Sequence, residues 1–108
     1  MNLKIGGIYT YDTPWHQDRG AIIIINKKNN YISYYMFKIR PDFTKNDIET
    51  ILNNQIKYSQ LRKKNFWIGT EQFLLDKIDG YMGRINEDML FKLSDKFKCY
   101  SWLLKKKW

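Results

Sequence analysis

The amino-acid sequence predicts one α+β domain over residues 1–108, built as a small, strongly bent β-barrel with an inserted helix and a C-terminal helix. Three observations support this fold class. Strand-like runs separated by short polar turns fill the first forty residues. Helical periodicity appears once in the middle of the chain and once near its end. A hydrophobic content of 44% is enough for a single folded core in 108 residues.

The N-terminal part is predicted to form three β-strands, at residues 5–11, 20–26 and 31–39. Four consecutive isoleucines, Ile22 to Ile25, indicate a strand that is buried on both faces, because β-branched side chains suit a pleated backbone. Residues 27–30 form a polar hairpin turn. Pro41 then ends the sheet, since it cannot donate a ladder hydrogen bond.

A helix is predicted over residues 45–58. Thr44 and Asp47 have the spacing of a capping box, with Asp in place of the usual Glu or Gln. Four apolar residues follow at helical spacing, namely Ile48, Ile51, Leu52 and Ile56.

The second half is predicted to contain two short strands, at residues 66–69 and 72–75, and then a turn through Asp79 and Gly80. A last helix is expected to begin at Asn86, because acidic residues follow it in the first turn. The apolar face of this helix comprises Met89, Leu90, Leu93, Phe97 and Tyr100. Its continuation to Leu104 is left open.

The net charge of +8 is uneven along the chain. Residues 55–108 hold twelve Lys and Arg against six Asp and Glu, whereas residues 1–54 hold seven against five. Such an excess favours a polyanionic partner, with nucleic acid first and an acidic protein or membrane surface behind it. The alternative is a lysine-rich surface that is merely solvated.

Cysteine and histidine usage limits the chemistry. The chain has one Cys, Cys99, and one His, which excludes an internal disulfide and a Cys/His zinc site. No run approaches the roughly 20 apolar residues of a membrane span. The sequence therefore predicts a cytoplasmic protein with no metal, no cofactor and no membrane partner.

The loop before the isoleucine strand carries the best candidates for chemistry. We predict that Arg19 stabilises anionic oxygens, because a guanidinium presents a fixed fork of donors. His16 is predicted to carry the proton, since the ordinary pKa of histidine is about 6.5. The alternatives are an ion pair of Arg19 with Asp12 or Asp18, and a plain surface role for His16.

Candidate RNA-binding residues flank the same sheet. Four cations are predicted to follow an RNA backbone, namely Lys27, Lys28, Lys38 and Arg40, and Trp15 is predicted to offer a stacking face.

Aromatic residues of the third strand are candidates for either stacking or packing. Strand alternation places Tyr34 on one face and Tyr35 and Phe37 on the other, so at least one group belongs to the core. Core or dimer-interface positions are predicted for Trp67, Phe73, Leu74 and Leu75.

Two segments together resemble the MazF/PemK family of toxin endoribonucleases. The first is Ile5-Gly6-Gly7-Ile8-Tyr9 with Arg19-Gly20 before the isoleucines. The second is Gln72 to Asp76, then Gly80-Tyr81-Met82-Gly83-Arg84-Ile85, then an acidic helix start. The resemblance implies an SH3-like barrel, often dimeric, that cleaves single-stranded RNA without a metal and pairs with an antitoxin.

The resemblance also assigns to Arg19 the stabilisation of the transition state. In the family a Thr or Ser at the end of the third strand shares the site with this arginine. Residues 35–39 contain neither Thr nor Ser, and residues 72–74 lack the basic and hydroxyl residues that often follow the family's Gln.

Two hypotheses follow. One is a metal-independent endoribonuclease of toxin–antitoxin type in which Arg19 stabilises the transition state and His16 carries the proton. The other is a catalytically inactive binding protein of the same fold, with a nucleic acid or protein partner, such as a phage or mobile-element inhibitor.

Overall fold

The computed structural model describes residues 2–12 and 19–97 of the chain. These residues form an α+β fold in which five antiparallel strands and three α-helices are packed together. The strands are β1 (Gly7–Asp12), β2 (Arg19–Lys28), β3 (Tyr31–Ile39), β4 (Phe66–Thr70) and β5 (Gly80–Arg84). The helices are α1 (Lys45–Lys57), α2 (Glu71–Lys77) and α3 (Glu87–Phe97), with a 3₁₀ turn at Lys63–Asn65.

The sheet has the strand order β4-β3-β2-β1-β5. Strands β2 and β3 form its longest hairpin, which turns at Asn29 with φ of 57°. Asparagine tolerates this left-handed conformation better than most residues. The three predicted N-terminal strands are thus confirmed, with small shifts of their ends.

The predicted closed barrel is not observed, because β4 and β5 lie at opposite edges and no ladder joins them among the described residues. Residues 72–75, which were predicted to form the fifth strand, belong to helix α2 instead. The fifth strand is β5, which pairs with β1 at the edge opposite β4, so the sheet remains open.

Helix α2 replaces the predicted strand because its ends carry helix signals. The Thr70 hydroxyl oxygen accepts a hydrogen bond from the Phe73 amide at 3.2 Å. Glu71 lies in the first turn and Lys77 in the last, where each complements the helix dipole. The predicted turn at Gly80 was also wrong, since Gly80–Arg84 forms β5 beside β1.

The other two helices confirm their predictions. In α1, the Thr44 hydroxyl accepts from the Asp47 amide at 3.2 Å, and the Asp47 carboxylate accepts from the Thr44 amide at 2.8 Å. In α3, the Asn86 side chain accepts from the Asp88 amide at 2.8 Å. Tyr100 and the question of helix continuation lie outside the described residues.

The two faces of the sheet are covered differently. Helices α1 and α3 pack on one face through residues such as Leu52 and Leu93, and we call it the α1/α3 face. Helix α2 covers part of the other through Leu74, and we call it the α2 face. Ile23 points to the α1/α3 face and Ile22 to the α2 face, which confirms burial of this strand on both sides. Within residues 2–12 and 19–97, no helix has the length and hydrophobicity that a membrane-spanning segment needs.

Candidate functional site

A polar cluster lies where β1 ends and β2 begins. Arg19 and Asp12 are directly opposite each other in the β1–β2 ladder, and Asp79 lies just before β5. The Asp79 amide donates to the Thr10 carbonyl oxygen at 2.9 Å, which fixes the start of β5 beside β1. We call Thr10, Asp12, Arg19 and Asp79 the Arg19 cluster.

The side chains of this cluster are in direct contact. Arg19 Nη2 donates to Thr10 Oγ1 at 3.1 Å and also to Asp79 Oδ1. Thr10 Oγ1 donates to the same Asp79 oxygen at 2.8 Å. Arg19 Nε lies 3.6 Å from Asp12 Oδ1. A guanidinium, a hydroxyl and a carboxylate therefore converge at one end of the sheet.

The charge of the cluster opposes the binding of phosphate, whereas its exposure to solvent permits a ligand to reach it. Two carboxylates surround one guanidinium, which leaves one excess negative charge and opposes the approach of phosphate. The Arg19 and Asp79 side chains are nevertheless 35% and 33% exposed, so a ligand can reach both. Arg19 Nε is buried and forms no hydrogen bond with any described residue.

The geometry of Arg19 matches one alternative weighed from the sequence, an ion pair with Asp12. Its catalytic role remains a prediction. Sequence reasoning missed Thr10 and Asp79, because Asp79 lies sixty residues from Arg19 and only the β1–β5 pairing brings them together. His16, Trp15 and Asp18 lie outside the described residues.

The four predicted RNA-binding cations do not form one patch. Lys27 and Lys28 lie near the β2–β3 turn, whereas Lys38 lies opposite Gly20 at the far end. Seven residues of extended strand separate the two ends, a distance of about 24 Å. Only Lys38 and Arg40 lie near Arg19.

These cations also differ in their availability. Lys27 Nζ donates to the Leu3 carbonyl oxygen at 2.9 Å and pairs with Glu71 at 3.3 Å. Arg40 is exposed. Its Nε lies 3.8 Å from Asp42 Oδ1, and its Cζ lies 5.1 Å from the centre of the Phe43 ring. Lys27 is therefore held by two protein oxygens and Arg40 is only loosely held, while RNA binding by either residue stays a prediction.

An apolar groove of about 610 Å³ lies on the α2 face. Its aromatic walls are Tyr11, Tyr34, Trp67 and Phe73, and we call it the aromatic groove. Trp67 is 48% exposed and Phe73 53% exposed, so neither belongs to the core of the chain, and a place in a dimer interface stays a prediction for both. Leu74, in contrast, is buried as predicted.

Two tyrosines, Tyr11 and Tyr34, line the groove from β1 and β3. Burial raises the pKa of the Tyr11 hydroxyl, and burial together with the neighbouring Tyr11 raises the pKa of Tyr34. Both hydroxyls therefore stay protonated at neutral pH and can donate hydrogen bonds. Tyr35, one residue from Tyr34, faces the opposite core and is buried there, as strand alternation requires.

Comparison with known proteins adds no assignment. No group of three or more His, Cys, Asp or Glu within residues 2–12 and 19–97 is arranged to hold a metal ion. No family model matches the chain, and no curated protein or solved structure matches it significantly. The described residues form a small α+β domain with a half-buried arginine cluster at one end of the sheet and an aromatic groove on its α2 face.

Proposed function

We propose that the protein is a metal-independent endoribonuclease of toxin–antitoxin type, with a bent, SH3-like sheet and a reaction centre at the Arg19 cluster. The observation that carries the proposal is the contact of Arg19 with both Thr10 and Asp79. Thr10 supplies from β1 the hydroxyl that the MazF/PemK resemblance leads one to expect from the third strand. The proposed substrate is single-stranded RNA.

The reaction assigns one role to each group. The RNA 2′-hydroxyl attacks the adjacent phosphorus, and Asp79 accepts the proton of that hydroxyl. Asp79 can do so through Oδ2, because the hydrogen bonds that Asp79 accepts from Thr10 and Arg19 both go to Oδ1. Arg19 stabilises the charge of the phosphorane. The bond to the 5′-oxygen then breaks, and His16, three residues before Arg19 in the chain, donates the proton to that oxygen.

For this reaction to proceed, the phosphate of the substrate must replace the carboxylates as the partner of Arg19. Asp12 is 76% exposed and 3.6 Å away, so its attraction is screened and contributes about 0–1 kcal/mol. A phosphorane carries more charge than one carboxylate and accepts a bidentate guanidinium. Arg19 is thus held in place before the reaction, and its guanidinium can bind the phosphorane oxygens in the transition state.

The second candidate is the catalytically inactive binding protein. The aromatic groove favours it, because aromatic and methionine side chains with few charges are typical of the centre of a protein interface. Its partner would be an antitoxin-like protein or a second copy of the chain. In that case the paired Arg19 serves only to join β1, β2 and the start of β5.

The deciding experiment incubates the pure protein with mixed single-stranded RNA in EDTA and maps new ends by sequencing. We expect discrete cleavage by the wild type, and its loss in Arg19→Ala, Asp79→Asn and Thr10→Val. Arg84→Ala is the matched control, because Arg84 is an exposed arginine that bonds the Ile5 carbonyl away from the cluster.

Folding of each variant is checked by circular dichroism. Intact RNA with folded wild-type protein would contradict the enzyme proposal and support the binding protein. Cleavage that survives in Arg19→Ala would contradict the assigned reaction centre. For the binding protein, we expect Trp67→Ala and Phe73→Ala to abolish partner binding, with size-exclusion chromatography testing the homodimer.

A further inference from the structure

A second polar surface lies at the carboxyl end of α1, away from the Arg19 cluster. Residues 50–70 contain no Asp or Glu but hold four cations, Lys57, Arg62, Lys63 and Lys64. Among the described residues, no carboxylate forms an ion pair with Lys57, Arg62 or Lys64. Arg19 and Lys27, in contrast, are both paired with carboxylates. This surface therefore presents cations that are available to an anionic ligand.

A pocket of about 470 Å³ lies within this surface. Three side-chain amides line it together with a phenol and a guanidinium: Gln55, Gln60, Asn65, Tyr35 and Arg62. No carboxylate is among these lining residues, so the pocket does not suit a cation. We call it the amide pocket.

The buried Tyr35 fixes one of these amides. Its side chain is 1% exposed, and its hydroxyl donates to Gln55 Oε1 at 3.3 Å. Because the amide oxygen is engaged in this way, the Gln55 Nε2 group is left as a donor. The pocket is thus anchored to the core, unlike a chance group of surface side chains.

The backbone at the end of α1 assembles the pocket. Ser59 adopts φ of 54°, a left-handed conformation that residues other than glycine seldom take. The chain therefore turns back, and the Gln60 amide bonds the Gln55 carbonyl oxygen at 2.8 Å. Gln55 and Gln60 thereby line the same pocket.

We infer that the amide pocket is a nucleotide subsite, in which side-chain amides read the edge of one RNA base and Arg62 and Lys64 hold the adjoining phosphate. Gln55 offers its Nε2 donor, and Gln60 and Asn65 each offer a donor and an acceptor side by side, which is the pattern of a base edge. The guanidinium fork of Arg62 suits phosphate oxygens. Tyr58, which lies between Gln55 and Gln60 in the chain and is 62% exposed, offers an aromatic face to a base.

The electrostatics of the helix end are compatible with this assignment. The carboxyl end of α1 contributes about half a negative charge, which opposes phosphate. Lys57 in the last turn offsets that charge, with its Nζ 5.4 Å from the centre of the Tyr58 ring.

The subsite deepens the proposed function, since its ligand is the same single-stranded RNA. Tyr35 lies four residues before Ile39, which pairs with Arg19, so the pocket is about 14 Å from the Arg19 end along β3. One short oligonucleotide can span that distance. The pocket would then determine which base lies near the cleaved bond.

The test measures the binding of fluorescent single-stranded RNA decamers of A, C, G or U by anisotropy in EDTA. The Arg19→Ala protein is used throughout, so that cleavage does not interfere. We expect one homopolymer to bind best, and Gln55→Ala or Gln60→Ala to reduce that preference by about fivefold or more. Arg62→Ala should weaken all four RNAs to a similar degree.

Gln72→Ala is the control, because Gln72 is an exposed amide that bonds Asp76 at 3.0 Å on α2. Tyr35→Phe removes only the hydroxyl and should lower base preference while the protein stays folded. Unchanged preference and affinity in the Gln55, Gln60 and Arg62 variants would overturn the subsite.

The outcome is separable from that of the cleavage assay. A base preference that depends on Gln55, in a protein whose wild type leaves RNA intact, upholds the subsite and rejects the enzyme. Cleavage whose sequence preference and rate are unchanged in the Gln55 and Arg62 variants upholds the enzyme and rejects the subsite.

Discussion

Arg19 illustrates how long-range pairing determines the surroundings of one side chain. Its neighbours in the chain suggested Asp12 and Asp18 as partners, yet its strongest contacts are with Thr10 and Asp79. The resulting cluster is pre-arranged, but its two carboxylates compete with any phosphate. For this residue, the enzyme hypothesis and the binding-protein hypothesis differ in one respect. In the enzyme, Arg19 exchanges its contact with Asp79 for a contact with the RNA phosphate, and in the binding protein it keeps the contact with Asp79.

Gly20 is a second position where one atom decides the local structure. The Tyr11 ring lies over it on the α2 face, so a Cβ at position 20 would overlap the ring. We expect Gly20→Ala to displace Tyr11 and lower the free energy of unfolding by about 1–3 kcal/mol, as measured in urea.

Gly69→Ala is the matched control, because a Cβ there would lie 3.4 Å from Tyr34, an ordinary contact. In the double variant with Tyr11→Ala, the Gly20→Ala substitution should cost less than it does alone. Equal costs in both backgrounds would show that Tyr11 is not the obstacle.

At the scale of elements, the capping box of α1 makes the helix sensitive to acid. Hydrogen bonds from the Thr44 backbone and hydroxyl lower the pKa of the Asp47 carboxyl below its ordinary value of 3.8. A lowered pKa means that the stabilisation is complete above the unfolded-state pKa and is lost as the pH falls through the folded-state pKa.

We therefore expect Asp47→Asn to destabilise the protein at pH 7 and to have little further effect near pH 2. Urea unfolding at both values measures the difference. Asp95→Asn, also a helical carboxylate, serves as a comparison in α3. An Asp47→Asn effect that does not diminish in acid would contradict the capping role.

The helices differ in what they contribute to stability. Leu52 of α1 is fully buried, and we expect Leu52→Ala to cost about 2–5 kcal/mol in the free energy of unfolding. Phe73 of α2 is half exposed in the aromatic groove, so Phe73→Ala should cost far less. Similar costs for both, measured by urea unfolding, would mean that the groove is covered in solution.

At the scale of the whole molecule, a charge of +8 predicts RNA binding that weakens with salt. The slope of log Kd against log salt concentration reports how many cations contact phosphate, about 0.7 for each contact on a single strand. We expect Arg62→Ala to reduce this slope by about 0.7. Lys27→Ala should leave it unchanged, since Lys27 is held by Glu71 and the Leu3 carbonyl.

Binding is measured by anisotropy from 50 to 300 mM salt, with folding checked separately. A slope that is reduced by Lys27→Ala but not by Arg62→Ala would place the phosphate contacts on the β2–β3 hairpin instead of the end of α1.

Local sequence signals determined much of this protein. The isoleucine run determined a strand buried on both faces, and the Thr44–Asp47 pair determined where α1 begins, because each depends on residues a few positions apart. In contrast, residues 72–75 were too short a run to distinguish strand from helix, and the Thr70 cap favoured the helix.

Tertiary structure alone decided the open sheet, the contact of Arg19 with Asp79, and the pocket that Gln55, Gln60 and Asn65 line together with Tyr35. Each of these joins residues from separate elements, and their distances depend on strand pairing and on a left-handed turn at Ser59. The sequence supplied the chemistry of the groups, namely charge, amide donors and aromatic rings. Packing decided which of them meet, because a contact between distant residues forms only when the intervening chain has folded.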